Sequence, residues 1–185
     1  MTINQIIEKI MVALDEVSSP NLLINEDEYI DKIFPLIDSV QREIATIAKP
    51  IKKYLDVVSI NKRIDMPPDC YELLKVYDSR MKPVSFDTYG SKIFIMDDTL
   101  SDGTFTLYYN KYPDTINANT PRAIELEVSK ECQEALVYGV CAGLTINDEP
   151  ELYDTYMDKY NVMLANIQLR MQNGATAKLV GGLKI

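Results

Sequence analysis

The sequence contains no histidine and only three cysteines, Cys70, Cys132 and Cys141. Without histidine the chain cannot form a Ser-His-Asp triad, a Cys-His dyad or a zinc site that uses imidazole. The cysteines show no CxxC spacing, and Cys132 and Cys141 lie in an apolar helical run. We therefore predict buried free thiols, which suit a reducing cytoplasm, and no metal site.

The sequence also lacks a phosphate-binding loop, and its acid-rich segments have structural explanations. Residues 97–103, DDTLSDG, resemble a calcium loop only in their acids, because Leu100 occupies a ligand position. Glu149 and Glu151 could act as the carboxylate pair of a hydrolase of cell-wall glycans, but acids also stabilise the start of a helix. We expect no catalytic residue and no cofactor, and we keep the hydrolase as a third hypothesis.

Basic charge is scarce, because 28 acidic residues face 19 basic ones and give a net charge of −9. Nucleic-acid binding needs clustered lysine and arginine, so the composition argues against it. An acidic wall would instead repel phosphates and let DNA pass without sticking. The apolar N-terminal stretch carries Glu8, Lys9, Asp15 and Glu16, so we predict neither a signal peptide nor a membrane span there.

Apolar residues at helical spacing predict helices in the first and last parts of the chain. The predicted helical segments are residues 3–17, 25–48, 129–145 and 150–172. Asn25 is a plausible N-cap for the second segment, and Pro35 inside it predicts a kink or a break. The third segment is apolar on nearly every side, which is typical of a buried central helix.

The middle of the chain, residues 54–112, is rich in β-branched and aromatic residues and predicts strands. The predicted strands are residues 54–60, 72–78, 92–97 and 104–112, with a short fifth at 83–86. Residues 97–103 are expected to join the last two main strands as a hairpin. We therefore predict an α+β fold in which a small, mostly antiparallel sheet is inserted between helices 2 and 3 of a bundle of about four helices. Residues 1–172 would form a single domain.

The tyrosines of the fourth helix have three possible roles: core packing, a subunit interface or an aromatic lining for a ligand. Tyr153, Tyr156, Tyr160 and Met163 belong to one broad apolar arc, opposite a polar side. Core packing explains the arc most simply, and the polar tips of tyrosine also suit the rim of an interface. In the third helix, Gly139 and Gly143, with Ala142 between them, would let a neighbouring backbone come close.

The last thirteen residues, NGATAKLVGGLKI, read as a flexible extended arm at 173–185. Their glycines separate four apolar residues that a monomer has no evident way to bury. These residues are Leu179, Val180, Leu183 and Ile185. The pattern predicts a segment that becomes ordered on docking to a partner.

Four passages, taken in order, carry a family resemblance. They are the helix-rich residues 1–48 leading into YLDVVSI, the proline-aspartate entry RIDMPPDCYELLKVYD at 63–78, the strand TLYYNKYPDTI at 106–116, and the closing helix pair at 125–168. In these passages the chain resembles the head-to-tail adaptor proteins of tailed bacteriophages, also called head-completion or connector proteins. The resemblance covers most of the chain from about residue 26 onward.

The resemblance implies a structural role in the virion and no enzymatic activity. Members of this family form rings of about twelve copies beneath the portal, which requires a head-to-tail interface. By this resemblance the expected partners are the portal protein, a tail or nozzle protein, further copies of the chain, and double-stranded DNA that crosses the lumen without specific binding. The arm with Leu179, Val180, Leu183 and Ile185 would dock on the portal. The chain would assemble in the host cytoplasm, reside at the head-tail junction and meet no membrane.

A second hypothesis needs no virion. The chain would then be an intracellular helical protein-interaction module, such as a regulator, that forms a small stable oligomer and has no affinity for portal rings. Under both hypotheses, the tyrosines of the fourth helix would lie either at the boundary between subunits or at the seam between helices of one copy.

Overall fold

The computed structural model describes residues 1–15 and 26–180 and confirms the predicted α+β fold, with four helices and small antiparallel sheets. The chain divides into two compact units. The helical unit comprises Met1–Lys49 and Pro113–Ile185, and the β unit comprises Pro50–Tyr112. The helices are α1 (Ile3–Asp15), α2 (Glu26–Ile47), α3 (Gln133–Thr145) and α4 (Pro150–Val180), and a short 3-10 helix at Lys130–Cys132 leads into α3.

Isoleucine-rich stripes on α1 and α2 supply much of the core of the helical unit. The buried members on α1 recur at helical spacing. The Cys141 thiol of α3 lies against the Ile10 carbonyl of α1, and burial raises the pKa of this thiol to about 12. The buried residues of the two stripes are Ile3, Ile6, Ile7, Ile10 and Leu14 on α1 and Ile33, Phe34, Ile37, Val40 and Ile44 on α2. Residues 16–25, which include the predicted cap Asn25, lie outside the described residues.

Pro35 does not break α2, which is continuous from Glu26 to Ile47, so the predicted break does not occur. Proline in a helix interior removes one hydrogen bond and costs about 3 kcal/mol. Pro35 itself is exposed, whereas Ile33, Phe34 and Ile37 around it are buried. Apolar burial on both sides of the proline offsets the lost hydrogen bond and keeps the helix whole.

The β unit contains two antiparallel sheets. The strands are β1 (Ile51–Val58), β2 (Arg63–Asp65), β3 (Cys70–Tyr77), β4 (Pro83–Val84), β5 (Phe86–Tyr89), β6 (Lys92–Ile95) and β7 (Thr104–Lys111). The four-stranded sheet has the order β1-β7-β3-β4, and the three-stranded sheet has the order β2-β6-β5. One apolar cluster with Ile93, Phe105, Leu107 and Tyr109 receives side chains from both sheets.

The hairpin predicted at residues 97–103 is absent, because the strands before and after it belong to different sheets. β6 pairs with β2 and β5, whereas β7 pairs with β1 and β3. Turn-forming residues signal a change of direction but do not fix which strands pair afterwards. The segment therefore carries the chain from one sheet to the other.

The fourth helix is longer than predicted. It continues to Val180, so residues 173–180 of the predicted arm are helical, and residues 181–185, with Leu183 and Ile185, lie outside the described residues. Gly174 and the polar residues around it predicted a helix end there. A single glycine costs a helix only about 1 kcal/mol relative to alanine, which is too little to stop it.

Candidate interaction surfaces

Gly139 and Gly143 lie where α3 makes its closest approaches to its neighbours. A Cβ atom added to Gly139 would stand 2.8 Å from Val40 Cγ1 and 3.1 Å from the ring of Tyr160. A Cβ atom added to Gly143 would stand 2.6 Å from Leu36 Cδ2. All three distances are shorter than ordinary van der Waals contact, so the two glycines permit the close packing of α3 on α2.

The tyrosines of α4 are divided between the core and its edge. Tyr156 and Tyr160 are buried, and the Tyr156 hydroxyl donates a 2.8 Å hydrogen bond to the carbonyl of Ala13 near the end of α1. Burial raises the pKa of Tyr160, and the nearby Glu43 carboxylate acts in the same direction. Tyr153 and Met163 are half-buried. Tyr156 and Tyr160 thus belong to the seam between helices, and Tyr153 and Met163 lie at its edge.

An open groove of about 600 Å³ runs between α1 and the first turns of α3. Its floor is apolar, and it includes Val12, which is 56% exposed, together with Val137 and Tyr138. The charged side chains on its lining are Glu8, Lys9 and Glu134. We name these lining residues the α1–α3 groove.

One wall of the α1–α3 groove is held in place by aromatic contacts. Tyr138 stacks on Tyr156 with ring centroids 6.3 Å apart, and the Lys159 ammonium lies 5.0 Å from the Tyr138 centroid. Such cation–π contacts stabilise by about 0.5–1 kcal/mol at exposed sites. These contacts fix the position of the Tyr138 ring in the groove wall.

Sequence reasoning missed the α1–α3 groove. Val12 is an apolar residue on the otherwise polar side of α1, which carries Gln5, Glu8 and Lys9. This departure from the amphipathic pattern was the signal in the sequence that could have indicated an apolar surface there. A single exposed apolar residue is common on protein surfaces. Only the packing of α1 on α3 brings Val12 next to Val137 and Tyr138.

The outer end of α4 is a second exposed apolar feature. Up to Gln172, where the description of side chains ends, the last buried residue is Ile167. The Gln168 side-chain amide donates a 2.7 Å hydrogen bond to the Ile47 carbonyl at the end of α2. The next four residues, 169–172, are all exposed, and they include Leu169 at 55%. The side chains of α4 are therefore exposed from Leu169 to Gln172.

The β unit contains a charged cluster centred on Asp69. Lys53 Nζ donates to Asp69 Oδ2 at 2.9 Å, and the Tyr109 hydroxyl donates to Asp69 Oδ1 at 2.9 Å. Burial alone would raise the pKa of Asp69, but these two donors outweigh it and the pKa is lowered. The Asp69 carboxylate raises the pKa of Lys53. The cluster joins β1 and β7 to the chain entering β3, which gives it a sufficient structural role.

Two further aspartates organise turns at one end of the β unit. Asp102 accepts hydrogen bonds from the backbone N–H groups of Asn61 and Lys62, both at 2.7 Å, and these two residues have positive φ angles of 53° and 58°. Asp78 accepts from the N–H of Lys82 at 2.8 Å in a turn where Met81 has φ 59°. These N–H donors lower the pKa of both carboxyl groups.

The net charge of the chain belongs entirely to the helical unit. Residues 50–112 contain nine acidic and nine basic residues, and the remainder of the chain contains nineteen acidic and ten basic residues. The helical unit therefore carries −9 and the β unit is neutral. Cations or basic segments are drawn to the helical unit rather than to the β unit.

Residues 1–15 and 26–180 contain no group of three or more histidine, cysteine or acidic side chains placed to hold a metal ion. None of the helices in the described part of the chain is long and apolar enough to cross a membrane. Glu149 and Glu151 lie exposed at the start of α4.

No protein-family model matches the chain, and no curated protein sequence matches it significantly.

Proposed function

We propose that this chain is a structural virion protein that forms a ring adaptor between the portal and the tail or nozzle and extends the DNA channel. The main support is the order of the elements. A helical start, an antiparallel β unit between α2 and α3, and a closing pair α3–α4 form the order that the resemblance implies. In this proposal the chain has a structural role and no catalytic one.

The distribution of charge is consistent with a conduit for DNA. A wall that carries excess acid repels phosphates, and binding that depends on counterion release needs basic residues that the helical unit has in deficit. Double-stranded DNA would then pass through the lumen without specific binding. The protein would assemble in the host cytoplasm and stay at the head-tail junction.

The outer part of α4 is the segment that we assign to portal docking. Leu179 and Val180 lie in its last helical turn, and Leu183 and Ile185 follow in the sequence. Because residues 169–172 are exposed and α4 continues past them, this segment could enter a groove on the portal.

The test is to label the protein with a gold-tagged antibody on tail-less, DNA-filled particles of the phage that encodes it. We expect signal at one unique vertex of each particle. Particles from a phage that lacks this gene serve as the control for antibody specificity. Absence of label from intact particles, with the protein present in infected cells and accessible to the antibody, would reject the virion role.

The α1–α3 groove favours the second candidate, an intracellular protein-interaction module. An open groove with an apolar floor is a common site for an amphipathic helix of a partner. This candidate would lead if the particles carry no label and the purified protein does not bind portal rings.

A further inference from the structure

The strand β1 (Ile51–Val58) forms one edge of the four-stranded sheet. In the part of the chain that the structure describes, the only strand paired with β1 is β7. The inward-facing residues of β1 are half-buried, whereas those of β7, which has a strand on each side, are buried. The free side of an edge strand presents a row of backbone N–H and C=O groups, which is a template for pairing with another strand.

The outward face of β1 carries a large aromatic side chain at this edge. Lys52, Tyr54, Asp56 and Val58 alternate with the inward-facing residues, and all four are exposed. Tyr54 is 59% exposed and Val58 is 67% exposed. The Tyr54 ring stacks on Tyr108 of β7, with ring centroids 4.5 Å apart. One side of the Tyr54 ring is thus held by its own sheet, while the ring itself stands at the sheet edge.

Two opposite charges flank Tyr54 at equal spacing. Lys52 and Asp56 are the charged residues of the outward face, because Lys53 points to the other face of the strand. The Thr106 hydroxyl donates a 2.5 Å hydrogen bond to Asp56, and Lys52 Nζ lies 5.9 Å from the Tyr108 ring centroid. Neither Lys52 nor Asp56 forms an ion pair within residues 1–15 and 26–180.

The sequence of β1 is complementary to itself in one antiparallel register. When Tyr54 of one copy is opposite Tyr54 of a second copy, Lys52 of each copy is opposite Asp56 of the other, because both lie two residues from Tyr54. Opposite charges in such cross-strand pairs are stabilising. Moving the centre of pairing by one residue in either direction leaves Lys52 and Asp56 without an opposite charge across the contact.

We propose that β1 pairs antiparallel with β1 of a second copy in the register centred on Tyr54. Two four-stranded sheets then join into one of eight strands. Its outward face carries a row of four tyrosines, Tyr108 and Tyr54 of each copy, with a Lys52–Asp56 pair on either side of the row. The contact is two-fold and closes at two copies, so it is separate from the head-to-tail interface of a ring and does not rest on the proposed function.

The test measures self-association of the full chain by sedimentation equilibrium, up to about 1 mM so that weak contacts are detected. Lys52→Asp leaves acidic side chains opposite each other on both sides of the tyrosine row, and Asp56→Lys leaves basic ones. Lys75→Asp is the matched control, because Lys75 is exposed on β3, two strands from the edge, and lies opposite Tyr108. Far-UV circular dichroism checks that the variants fold.

We expect a wild-type dimer, at least tenfold weaker association in K52D and in D56K, and no change in K75D. The decisive sample is an equimolar mixture of K52D and D56K. Opposite charges face each other at both positions of a heterodimer in this mixture, so the mixture should associate about as tightly as wild type. A structural defect in either variant would not be repaired by mixing.

Hydrogen exchange of the wild-type chain tests the same contact without a substitution. Pairing of two β1 strands gives hydrogen-bond partners to the backbone N–H groups on the free side of β1. We therefore expect amide exchange in β1 to slow when the protein concentration is raised through the range of dimerisation. Exchange in β6, which already has β2 and β5 as neighbours, should stay unchanged.

Four results would overturn the proposal. The first is a wild-type chain that stays monomeric up to about 1 mM. The second is a mixture of K52D and D56K that associates no better than either variant alone. The third is an equal loss in K75D, which would indicate that the outward faces stack on each other. The fourth is a dimer in which exchange in β1 does not slow. The particle labelling is independent of all four, so failure of this contact and failure of the virion role are distinguishable.

Discussion

Gly139 and Gly143 look equivalent in sequence, but the atoms that face them differ. Gly139 faces the branched, buried side chain of Val40 and the ring of buried Tyr160. Gly143 faces only the end of the half-buried Leu36 side chain, which can rotate. The consequences of adding a methyl group should therefore differ between the two sites.

Gly139→Ala should destabilise the protein, and Gly143→Ala should not. Overpacking a rigid core site costs about 1–3 kcal/mol, and replacing glycine by alanine in a helix returns about 1 kcal/mol. We expect a net loss of roughly 1 kcal/mol for G139A and no net loss for G143A, measured by urea unfolding. An equal loss in both variants would show that Leu36 is as rigid as Val40.

Asp102→Asn should reduce stability in a pH-dependent way. The N–H groups of Lys62 and Asn61 hold the pKa of Asp102 below its ordinary value of 3.8, so the ionised carboxylate stabilises the folded state above that value. This contribution is lost as the pH falls from about 4 through the lowered pKa. The difference in unfolding free energy between wild type and variant should thus be largest near pH 7 and shrink below about pH 4.

Asp98→Asn is the matched control for Asp102, because Asp98 has a fully exposed side chain whose ion pair with Lys62 is 3.3 Å long. An exposed ion pair of this kind contributes little. A loss in D98N equal to that in D102N would mean that the charge of the loop, rather than the hydrogen bonds to the turn, provides the stability.

At the scale of elements, the two parts of α4 differ in burial. The part before Gln168 packs in the bundle, and the part after it has exposed side chains in its first turn. Removing the outer part should therefore separate binding from folding.

Under the proposed adaptor role, deletion of residues 174–185 should leave the fold intact and weaken binding to portal rings. Because no side chain between Gln168 and Gln172 is buried and the deletion begins after them, the midpoint of thermal unfolding should stay within a few degrees of wild type. Co-sedimentation with purified portal measures the binding. The control is Leu169→Glu, which alters the exposed part of α4 but keeps residues 174–185. Portal binding that survives in the deletion would show that the arm is not the docking segment.

At the scale of the whole molecule, the two units differ in charge. Nineteen acidic and ten basic residues in the helical unit repel one another on balance, whereas the β unit with nine of each does not. Salt screens such repulsion within a Debye length of about 10 Å at 0.1 M. Stability in the two units should therefore respond differently to salt.

Raising sodium chloride from about 0.05 M to about 0.5 M should slow amide hydrogen exchange more in α3 than in β7. Val140 in α3 and Leu107 in β7 are buried reporters of the two units. Equal slowing at both sites would indicate that the units unfold together and share one response to salt.

Much of the fold could be read from local patterns. Helical periodicity predicted all four helices, and runs of β-branched and aromatic residues predicted β1, β3, β6 and β7 within a few residues. The predicted crowding at Gly139 and Gly143 followed from small residues on an otherwise apolar helix. These features depend on neighbours within a few residues along the chain, which the sequence displays directly.

The sequence by itself determined the fold class, the free thiols of a histidine-free chain and the acidic balance, because each depends on composition or local period. Only the tertiary structure decided which strands share a sheet, how far α4 continues and that Val12 meets Val137 and Tyr138 in a groove. Pairings between distant residues are fixed by the total burial and hydrogen bonding of the folded chain. No short segment contains that information.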